Sequence, residues 1–312
     1  METPSAKALR EIEERVIVMA RGAGALLAER FRRGVRTEFK DRQKRRDPVT
    51  EADRLSQEFL QKEIETHFPG HAILGEEKLS RDGEQPGWVW VLDPLDGTTN
   101  FMRGLEIYGV SIGVLHHGRP VAGAIFLAGG PGGQGRVFHA RAGGGTYQGG
   151  ERISVATENR PAPTHLVCLP GSHWNLFQMQ SKLRRQPGEV RGTGSIANDM
   201  ARTADGTFHY AVFAGPKIWD VAAGVLLVKE AGGEALVRRS KGMMWRPLER
   251  FGRDYVSPPS SLEDLREWRG ALIVGNKAIV RFVGDNLRRP VRGRLRRPFP
   301  LRNSKPPREN RP

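Results

Sequence analysis

The first third of the chain is dominated by apolar residues at helical spacing. Between residues 6 and 33 they recur every three or four positions, at Leu9, Ile12, Val16, Met19, Ala23, Leu26, Leu27 and Phe31. This amphipathic period predicts a long first helix, which Gly34 ends. A second helix is predicted after Thr50, with Asp53 three residues later as a capping partner. The apolar face of the second helix is Leu55, Phe59, Leu60 and Ile64.

Short apolar runs bounded by turn residues predict strands up to about residue 150. These runs are 72–74, 88–92, 107–115, 120–127, 135–140 and 144–148. His117 and Gly118 are predicted to join the fourth run to the third as a hairpin. The glycine-rich segment 129–135 is predicted to be a surface hairpin and not a phosphate loop, because it lacks a terminal Lys or Ser/Thr.

Beyond about residue 155 the pattern alternates between the two element types. Strands are predicted at 166–169, 208–213 and 271–274, and helices at 172–183, 192–204 and 220–231. The segment 238–269 is basic, contains Trp and Pro, and has no clear period, so no role is assigned to it. Periodicity by itself predicts only a mixed α and β fold.

The composition limits the classes of protein to which the chain can belong. A chain of 312 residues can bury one large core or two medium ones. It has no apolar run of 18 or more residues, so no membrane span is expected. The charged N-terminus lacks a signal-peptide core, and the single cysteine, Cys168, fits a reducing compartment. We therefore expect a cytoplasmic location, with Cys168 as a core residue.

The net charge of +15 is concentrated in one loop and one tail. Residues 287–312 carry nine Arg and one Lys against one Glu, and residues 30–46 carry nine basic side chains. The tail is rich in proline and poor in apolar residues, so it is predicted to be disordered. Contact of the tail with nucleic acid is the less favoured alternative. The domain prediction is 1–150, 151–286 and the tail 287–312.

The chemistry is expected in the stretch 90–100, which reads Trp-Val-Leu-Asp-Pro-Leu-Asp-Gly-Thr-Thr-Asn. Asp93 and Asp96 follow a predicted buried strand, and Pro94 is expected to turn the chain there. Gly97 frees the backbone, and the two threonines after it are expected to cap a helix start. Hard cations prefer carboxylate oxygens and phosphate prefers a helix N-terminus, so a metal and phosphate site is indicated. The alternative is a Pro-Asp-Gly turn with solvated acids.

Three further stretches accompany it in a fixed order: 47–53 (Asp-Pro-Val-Thr-Glu-Ala-Asp), 74–77 (Leu-Gly-Glu-Glu) and 218–224 (Ile-Trp-Asp-Val-Ala-Ala-Gly). Together, over roughly residues 5–285, the chain resembles the inositol monophosphatase family of Mg-dependent, lithium-sensitive phosphatases. The resemblance implies an α/β (α+β) fold, a layered α-β-α-β-α sandwich of the inositol monophosphatase and fructose-1,6-bisphosphatase type. It also implies an antiparallel N-terminal sheet, a mostly parallel C-terminal sheet and a homodimer.

The resemblance further implies two or three Mg²⁺ ions in each site. Glu76, Asp93 and the backbone carbonyl of Leu95 would hold the first ion. Asp93, Asp96 and Asp220 would hold the second, and a third, weaker ion would lie near Glu76.

The remaining roles implied by the resemblance concern water, phosphate and substrate. Asp53 and Thr98 would orient the nucleophilic water, and the catalytic set is Asp53, Glu76, Asp93 and Thr98. Phosphate would bind at the helix start formed by Gly97, Thr98 and Thr99. The substrate side would be lined by Thr193, Gly194, Ser195, Asn198 and Lys217. Supporting positions are Asp47, bracing its loop, Glu77, supporting the metal ligands, and Lys40, approaching the metal site.

Several of these residues also have structural interpretations. Asp53 alone would make a capping acid, and Asp220 is expected to be both an N-cap and a metal ligand. Trp219 is expected to pack and fix its turn. The histidines are expected to be structural; they are His116 and His117 at a hairpin turn and His139 and His209 in strands.

The substrate is left open by one departure from the family pattern. Inositol-phosphate enzymes of the family usually carry a Glu about six residues before the Trp-Asp pair, and here that position is Phe213. Lys217 adds a positive charge nearby. The prediction is therefore a phosphomonoesterase for a small metabolite resembling inositol monophosphate. The alternatives are a 3′(2′),5′-bisphosphate nucleotidase, a fructose-1,6-bisphosphatase, a histidinol phosphatase or a nucleic-acid-binding regulator that uses the tail.

Overall fold

The computed structural model of the chain describes residues 4–33, 37–39, 48–76, 87–170, 177–238 and 244–288. The predicted positions Gly34, Lys40, Asp47 and Glu77 lie outside these residues. No helix in the described ranges is long and apolar enough to cross a membrane.

The N-terminal part is a seven-stranded sheet covered by two helices. Helix α1 spans Ala6–Arg33, as its period predicts, and α2 spans Glu51–His67. A short β1–β2 pair (Thr37–Phe39 and Pro48–Thr50) joins them. The sheet contains, in spatial order, β3 (Ala72–Gly75), β4 (Trp88–Asp96), β5 (Gly109–His116), β6 (Arg119–Leu127), β7 (Arg136–Arg141), β8 (Gly145–Gln148) and β9 (Glu151–Ile153). Only its β3–β4 pairing is parallel, so the prediction of an antiparallel first sheet is confirmed for the other five.

The second sheet has six strands and is mixed. In chain order the elements of this half are β10 (Leu166–Cys168), β11 (Gln178–Met179), α4 (Ser181–Arg185), β12 (Glu189–Arg191), α5 (Ile196–Ala204), β13 (Tyr210–Phe213), α6 (Ile218–Glu230), β14 (Gly233–Arg238), β15 (Arg246–Pro247), α7 (Leu262–Arg266), β16 (Ala271–Asn276), α8 (Lys277–Asn286) and β17 (Leu287–Arg288). The sheet order is β12-β10-β13-β16-β14-β15. Two pairings are parallel and three are antiparallel, so the expectation of a mostly parallel sheet is wrong.

The layers follow the predicted α-β-α-β-α sequence. Helices α1 and α2 pack on one face of the first sheet, and α5 and α6 pack between the two sheets. Helices α4 and α8 cover the far face of the second sheet. Helix α6 is buried on nearly every side, which explains its uniformly apolar sequence. It approaches the first sheet so closely that a Cβ on Gly113 would lie 2.8 Å from the Ala222 Cβ.

One expectation about the second half is corrected, and one segment without an assigned role is placed. The predicted helix 172–183 is wrong at its described end, because Gln178 and Met179 form strand β11 and the helix there is only Ser181–Arg185. The described part of the segment 238–269 is well packed: Leu248, Phe251 and Trp268 are buried in the central core. Phe251 N donates to Gly118 O at 2.8 Å, so this segment docks on the β5–β6 hairpin.

The predicted tail boundary is also corrected. Leu287 and Arg288 form β17, which pairs antiparallel with β11. Leu287 is 1% exposed, and its carbonyl accepts from Arg238 Nη1 at 3.3 Å. These two residues therefore belong to the folded part of the chain, and the prediction of a disordered tail applies from residue 289 onward.

Two truncations that differ by two residues test this boundary. Deleting residues 289–312 is expected to leave turnover and the melting temperature unchanged. Deleting residues 287–312 also removes a buried leucine, which is expected to lower the free energy of unfolding by about 1.5–3 kcal/mol. Equal melting temperatures for the two truncations would show that β17 contributes nothing.

Candidate metal and phosphate site

The candidate site begins at an irregularity near the end of β4. The sequence predicts a turn at Pro94, but β4 continues to Asp96 and its register with β5 shifts between Asp93 and Asp96. The Pro94 carbonyl accepts from Ser56 Oγ of α2 at 2.8 Å. A bulge anchored in this way keeps both aspartates on the sheet instead of ending the strand.

Helix α3 (Thr98–Met102) starts directly after the bulge. Its N-cap is Gly97, with φ of 84°, and no side chain caps it, so the predicted threonine caps are wrong. Thr98 Oγ1 instead donates to the Leu95 carbonyl at 3.0 Å. A carbonyl oxygen has two lone pairs, so this contact is compatible with the metal contact predicted for Leu95.

Five acidic side chains converge at this point. Asp93 is buried, and burial raises its pKa well above the usual range; the charges of the other four acids raise it further. These are Asp96, Glu76, Asp220 and Asp53, in decreasing order of effect. The structure thus brings together the acids of α2, β4, α6 and the end of β3, as the sequence predicts. A cation relieves the repulsion among buried carboxylates, and their oxygen atoms are the ligands that Mg²⁺ prefers.

Asp96 and Asp220 are held by backbone and hydroxyl donors. Ser195 Oγ donates to Asp96 Oδ1, and Ile196 N donates to Asp96 Oδ2 at 3.1 Å. Burial raises the pKa of Asp96 to about 7, although the Ser195 contact opposes the rise. Asp220 Oδ2 accepts from Lys217 N at 2.8 Å. Burial likewise raises the pKa of Asp220 to about 6.

The position of Asp220 in its helix corrects one expectation. Helix α6 starts two residues before the predicted start, with Lys217 as its N-cap, so Asp220 is the third helical residue and not the cap. Its carboxylate satisfies the N–H of the cap residue. Trp219 is buried, as expected, and its carbonyl accepts from Ser111 Oγ at 3.2 Å.

The carboxylates lie near one another, but their oxygen atoms do not surround a single point. In the described part of the chain, no three of these carboxylates bring one oxygen each within 4.8 Å of one another. The predicted trio for a second ion, Asp93, Asp96 and Asp220, is therefore open in this structure. Since each carboxylate oxygen carries two lone pairs, the contacts that Asp96 and Asp220 already make leave room for a metal ion.

A cavity of about 540 Å³ adjoins the acids on the side of α5 and β13. Its lining includes Thr193, Gly194, Ser195, Phe213, Lys217 and Asp220. Four of the five residues predicted for the substrate side thus line one cavity beside a predicted metal ligand. Asn198 N instead donates to Ser195 Oγ at 3.1 Å, capping α5.

The loop that forms this wall is held by residues for which the sequence analysis assigned no such role. Asn100 Nδ2 donates to Thr193 O at 2.8 Å, and Thr193 Oγ1 donates to Asp199 Oδ1 at 2.6 Å. Cys168 Sγ donates to Asp199 Oδ2 at 2.9 Å. Burial raises the pKa of the Cys168 thiol, so it remains protonated and serves as a donor. Local sequence carries no signal for this chain of contacts, because its members lie on three separate elements.

Asp199 gives the protein a testable pH dependence. Burial raises its pKa to about 6, although its hydrogen bonds oppose the rise. A raised pKa in the folded state means that the folded chain binds more protons than the unfolded chain. The stability contributed by Asp199 is therefore lost as the pH rises from about 4 to about 6. Asp199→Asn removes this titration. The difference in melting temperature, variant minus wild type, is therefore expected to rise across that window, and a flat difference would contradict the assignment.

The chain is similar to known proteins in both sequence and structure. A family model described as the inositol monophosphatase family matches residues 8–263. Inositol-1-monophosphatase of Mesorhizobium japonicum is 30% identical over 253 residues, covering 80% of this chain and 85% of that protein. Nus factor SuhB of Pasteurella multocida is 34% identical over 221 residues, covering 69% and 80%.

The solved structure of extragenic suppressor protein suhB from Bartonella henselae has the same fold. Its TM-score is 0.68 at 24% sequence identity, with 88% of this chain and 98% of that chain covered. The sequence match extends over most of the chain and includes the stretches that supply the converging acids. The chain belongs to the inositol monophosphatase family of phosphatases.

Proposed function

We propose that this chain is a Mg²⁺-dependent phosphomonoesterase for a small phosphorylated metabolite. The observation that carries the proposal is the convergence of Glu76, Asp93, Asp96, Asp220 and Asp53 beside the start of α3 and a cavity of about 540 Å³. Hydrolysis of a phosphate monoester needs charge neutralisation, an activated water and a stabilised leaving oxygen. Bound divalent ions supply these three effects.

The roles proposed for the protein groups are those that the family resemblance implies. The carboxylates of Glu76, Asp93, Asp96 and Asp220, with the Leu95 carbonyl, would hold the ions. Asp53 is buried within reach of the charge of Asp93, and with the Thr98 hydroxyl it would orient the attacking water. The N–H groups at positions 97–99 begin α3 and would receive the phosphate oxygens. These assignments predict in-line attack by a water and no covalent phosphoenzyme.

A Mg²⁺-dependent phosphate-release assay tests the proposal. Inositol 1-phosphate, 3′-phosphoadenosine 5′-phosphate, fructose 1,6-bisphosphate and histidinol phosphate are offered at equal concentration, with and without Li⁺. Release from at least one substrate that Mg²⁺ activates and Li⁺ inhibits is expected. Full turnover in excess chelator would refute the metal requirement.

The cavity wall supports a preference for substrates with a second phosphate. Phe213 occupies the position where inositol-phosphate enzymes usually carry an acid, and Lys217 brings a cation to the same cavity. The Lys217 ammonium lies 5.6 Å from the Trp219 ring centroid, which keeps its stem along the wall. Charge complementarity therefore favours a nucleotide or sugar bisphosphate over the monophosphate of an uncharged polyol.

Lys217→Ala is expected to lower kcat/KM for bisphosphates about tenfold or more while sparing monophosphates, since a charge-assisted contact contributes roughly 1.5–3 kcal/mol. The matched control is Lys277→Ala. Lys277 is exposed at the start of α8, at the opposite edge of the second sheet from the cavity. Equal losses on both substrate classes, or none on either, would show that Lys217 does not recognise a second phosphate. A wild-type preference for inositol 1-phosphate over both bisphosphates would refute the idea.

A second candidate function is suggested by the relative named as a Nus factor and by the basic tail. In this alternative, the tail from residue 289 to residue 312, with a charge of +8, contacts RNA or a nucleic-acid machine. RNA binding with a steep salt dependence and no metal-dependent turnover would favour it. The retention of every acid of the predicted metal set supports the enzyme instead. We further propose that the enzyme is a homodimer, as the resemblance implies, and that it is cytoplasmic, as its composition predicts.

A further inference from the structure

A second group of metal-binding side chains lies at the opposite edge of the second sheet. His165 directly precedes β10 and His209 directly precedes β13. These strands are parallel neighbours, so their first residues lie at the same sheet edge. The substrate cavity is at the other end, where Cys168 and Phe213 finish the same two strands.

Glu158 completes this group. One ligand atom from each of Glu158, His165 and His209 lies within 4.8 Å of the others, a convergence that no other trio of His, Cys, Asp or Glu reaches in the described ranges. The two imidazole rings stack at 3.7 Å between centroids and 9° between planes. Glu158 Oε2 lies 3.4 Å from His209 Nε2.

The backbone around the group is fixed by hydrogen bonds. Asn276 Nδ2 donates to Ala156 O at 2.9 Å and to Glu158 O at 2.6 Å. His209 N donates to Leu166 O at 2.9 Å. Ala162 N donates to His165 Nδ1 at 3.1 Å, so this ring nitrogen presents its lone pair. A metal ion on that nitrogen would displace one hydrogen bond, and on Nε2 it would require the other tautomer.

Burial and the neighbouring Glu158 carboxylate act on the pKa of His209 in opposite directions, because the carboxylate raises it. Burial lowers the pKa of His209, and the neighbouring His165 lowers it further. A hydrogen bond from its own backbone lowers the pKa of Glu158, and the two histidines add to that effect. His209 Nδ1 is buried without a hydrogen-bond partner in the structure. Neutral imidazole and carboxylate are the protonation states that bind metals.

We propose that Glu158, His165 and His209 form a second metal site, selective for Zn²⁺ or a similar borderline transition ion over Mg²⁺. Two imidazoles and one carboxylate are a common ligand set for zinc, with the fourth position left for water. Imidazole selects zinc, nickel or copper, whereas the carboxylates of the phosphatase site select Mg²⁺. Zinc needs ligand atoms roughly 3.3 Å apart with their lone pairs directed at the ion. The two stacked rings must therefore rotate out of their parallel arrangement when the ion binds, and the exposed Glu158 side chain must turn towards it.

The bound ion would join two connections of the chain. Glu158 and His165 lie on the connection between β9 and β10, and His209 lies on the connection between α5 and β13. The site is outside the phosphatase cavity, so its role would be to stabilise the second sheet and not to take part in phosphate hydrolysis.

The test uses the full-length chain, stripped with a chelator and held in millimolar Mg²⁺, which competes for the remaining carboxylates of the phosphatase site. Zn²⁺ is added and followed by calorimetry and by the melting temperature, with all variants made in an Asp93→Asn background. One Zn²⁺ per chain is expected, with a rise in melting temperature of roughly 5 °C at a hundredfold excess over the dissociation constant. His165→Gln and His209→Gln are expected to weaken binding by at least about tenfold.

The matched control is His67→Gln, which changes a histidine on α2 outside the group. It is expected to bind Zn²⁺ like the parent chain. Glu158→Gln changes an exposed side chain, so it keeps the test decisive if a histidine variant fails to fold. Zn²⁺ affinity and melting shift in all three site variants equal to those of His67→Gln would overturn the proposal.

Discussion

Asp93→Asn is expected to reduce phosphate release by more than about tenfold while leaving the chain folded. Asp93 is the residue predicted to contact both metal ions, and four other carboxylates raise its pKa. Asparagine keeps the shape and the carbonyl oxygen that accepts from Leu95 N at 3.1 Å, but it removes the charge. The metal affinity is therefore lost, whereas the repulsion among the remaining acids is reduced.

The measurement pairs turnover with thermal stability in chelator. The melting temperature of Asp93→Asn is expected to equal or exceed that of the wild type, because its carboxylate opposes folding when no cation is bound. Asp285→Asn is the matched control, since Asp285 is exposed on α8. Retention of more than about a tenth of wild-type turnover would show that Asp93 does not bridge the ions.

Gly97→Ala is expected to destabilise the fold and to disrupt the phosphate site together. Gly97 has φ of 84°, and a Cβ there would lie 2.8 Å from the Ile107 carbonyl oxygen and 3.3 Å from Ser195 Cβ. The left-handed conformation alone costs about 1–2 kcal/mol for alanine. The clash adds to that cost and would displace the start of α3 from Ser195, the residue that holds Asp96.

Gly104→Ala separates the two contributions. Gly104 has φ of 74°, but nothing lies within 4 Å of its would-be Cβ. It therefore has the same backbone cost without the crowding. Gly97→Ala is expected to lose more stability than Gly104→Ala and most of its turnover, while Gly104→Ala keeps its turnover. Equal losses of activity in the two variants would show that the crowding at Ile107 and Ser195 does not matter.

The sequence predicts the elements that have a long or regular pattern. The period of α1 gives its limits as Ala6–Arg33, and the five layers follow from the resemblance. The converging acids are predicted because they belong to long motifs. The bulge in β4 is not predicted, because a proline after a strand is typical of a turn. Only the Ser56 contact and the register with β5 show that the strand continues.

Contacts between distant segments account for the other differences. The pairing of Gln178 and Met179 with Leu287 and Arg288 joins two-residue strands more than 100 positions apart, too short to show a period. The Cys168–Asp199–Thr193 contacts are likewise formed only when β10, α5 and the loop before α5 meet. His209, predicted to be structural, is joined by His165 only because β10 and β13 are adjacent.

The most direct test of the proposed function is phosphate release from the four-substrate panel as a function of free Mg²⁺ at fixed pH. The converging carboxylates predict no release in chelator, a rise with Mg²⁺, loss of that rise in Asp93→Asn, and inhibition by Li⁺. Wild-type turnover that is unaffected by chelator, or a Mg²⁺ response that persists unchanged in Asp93→Asn, would contradict the metal-dependent mechanism.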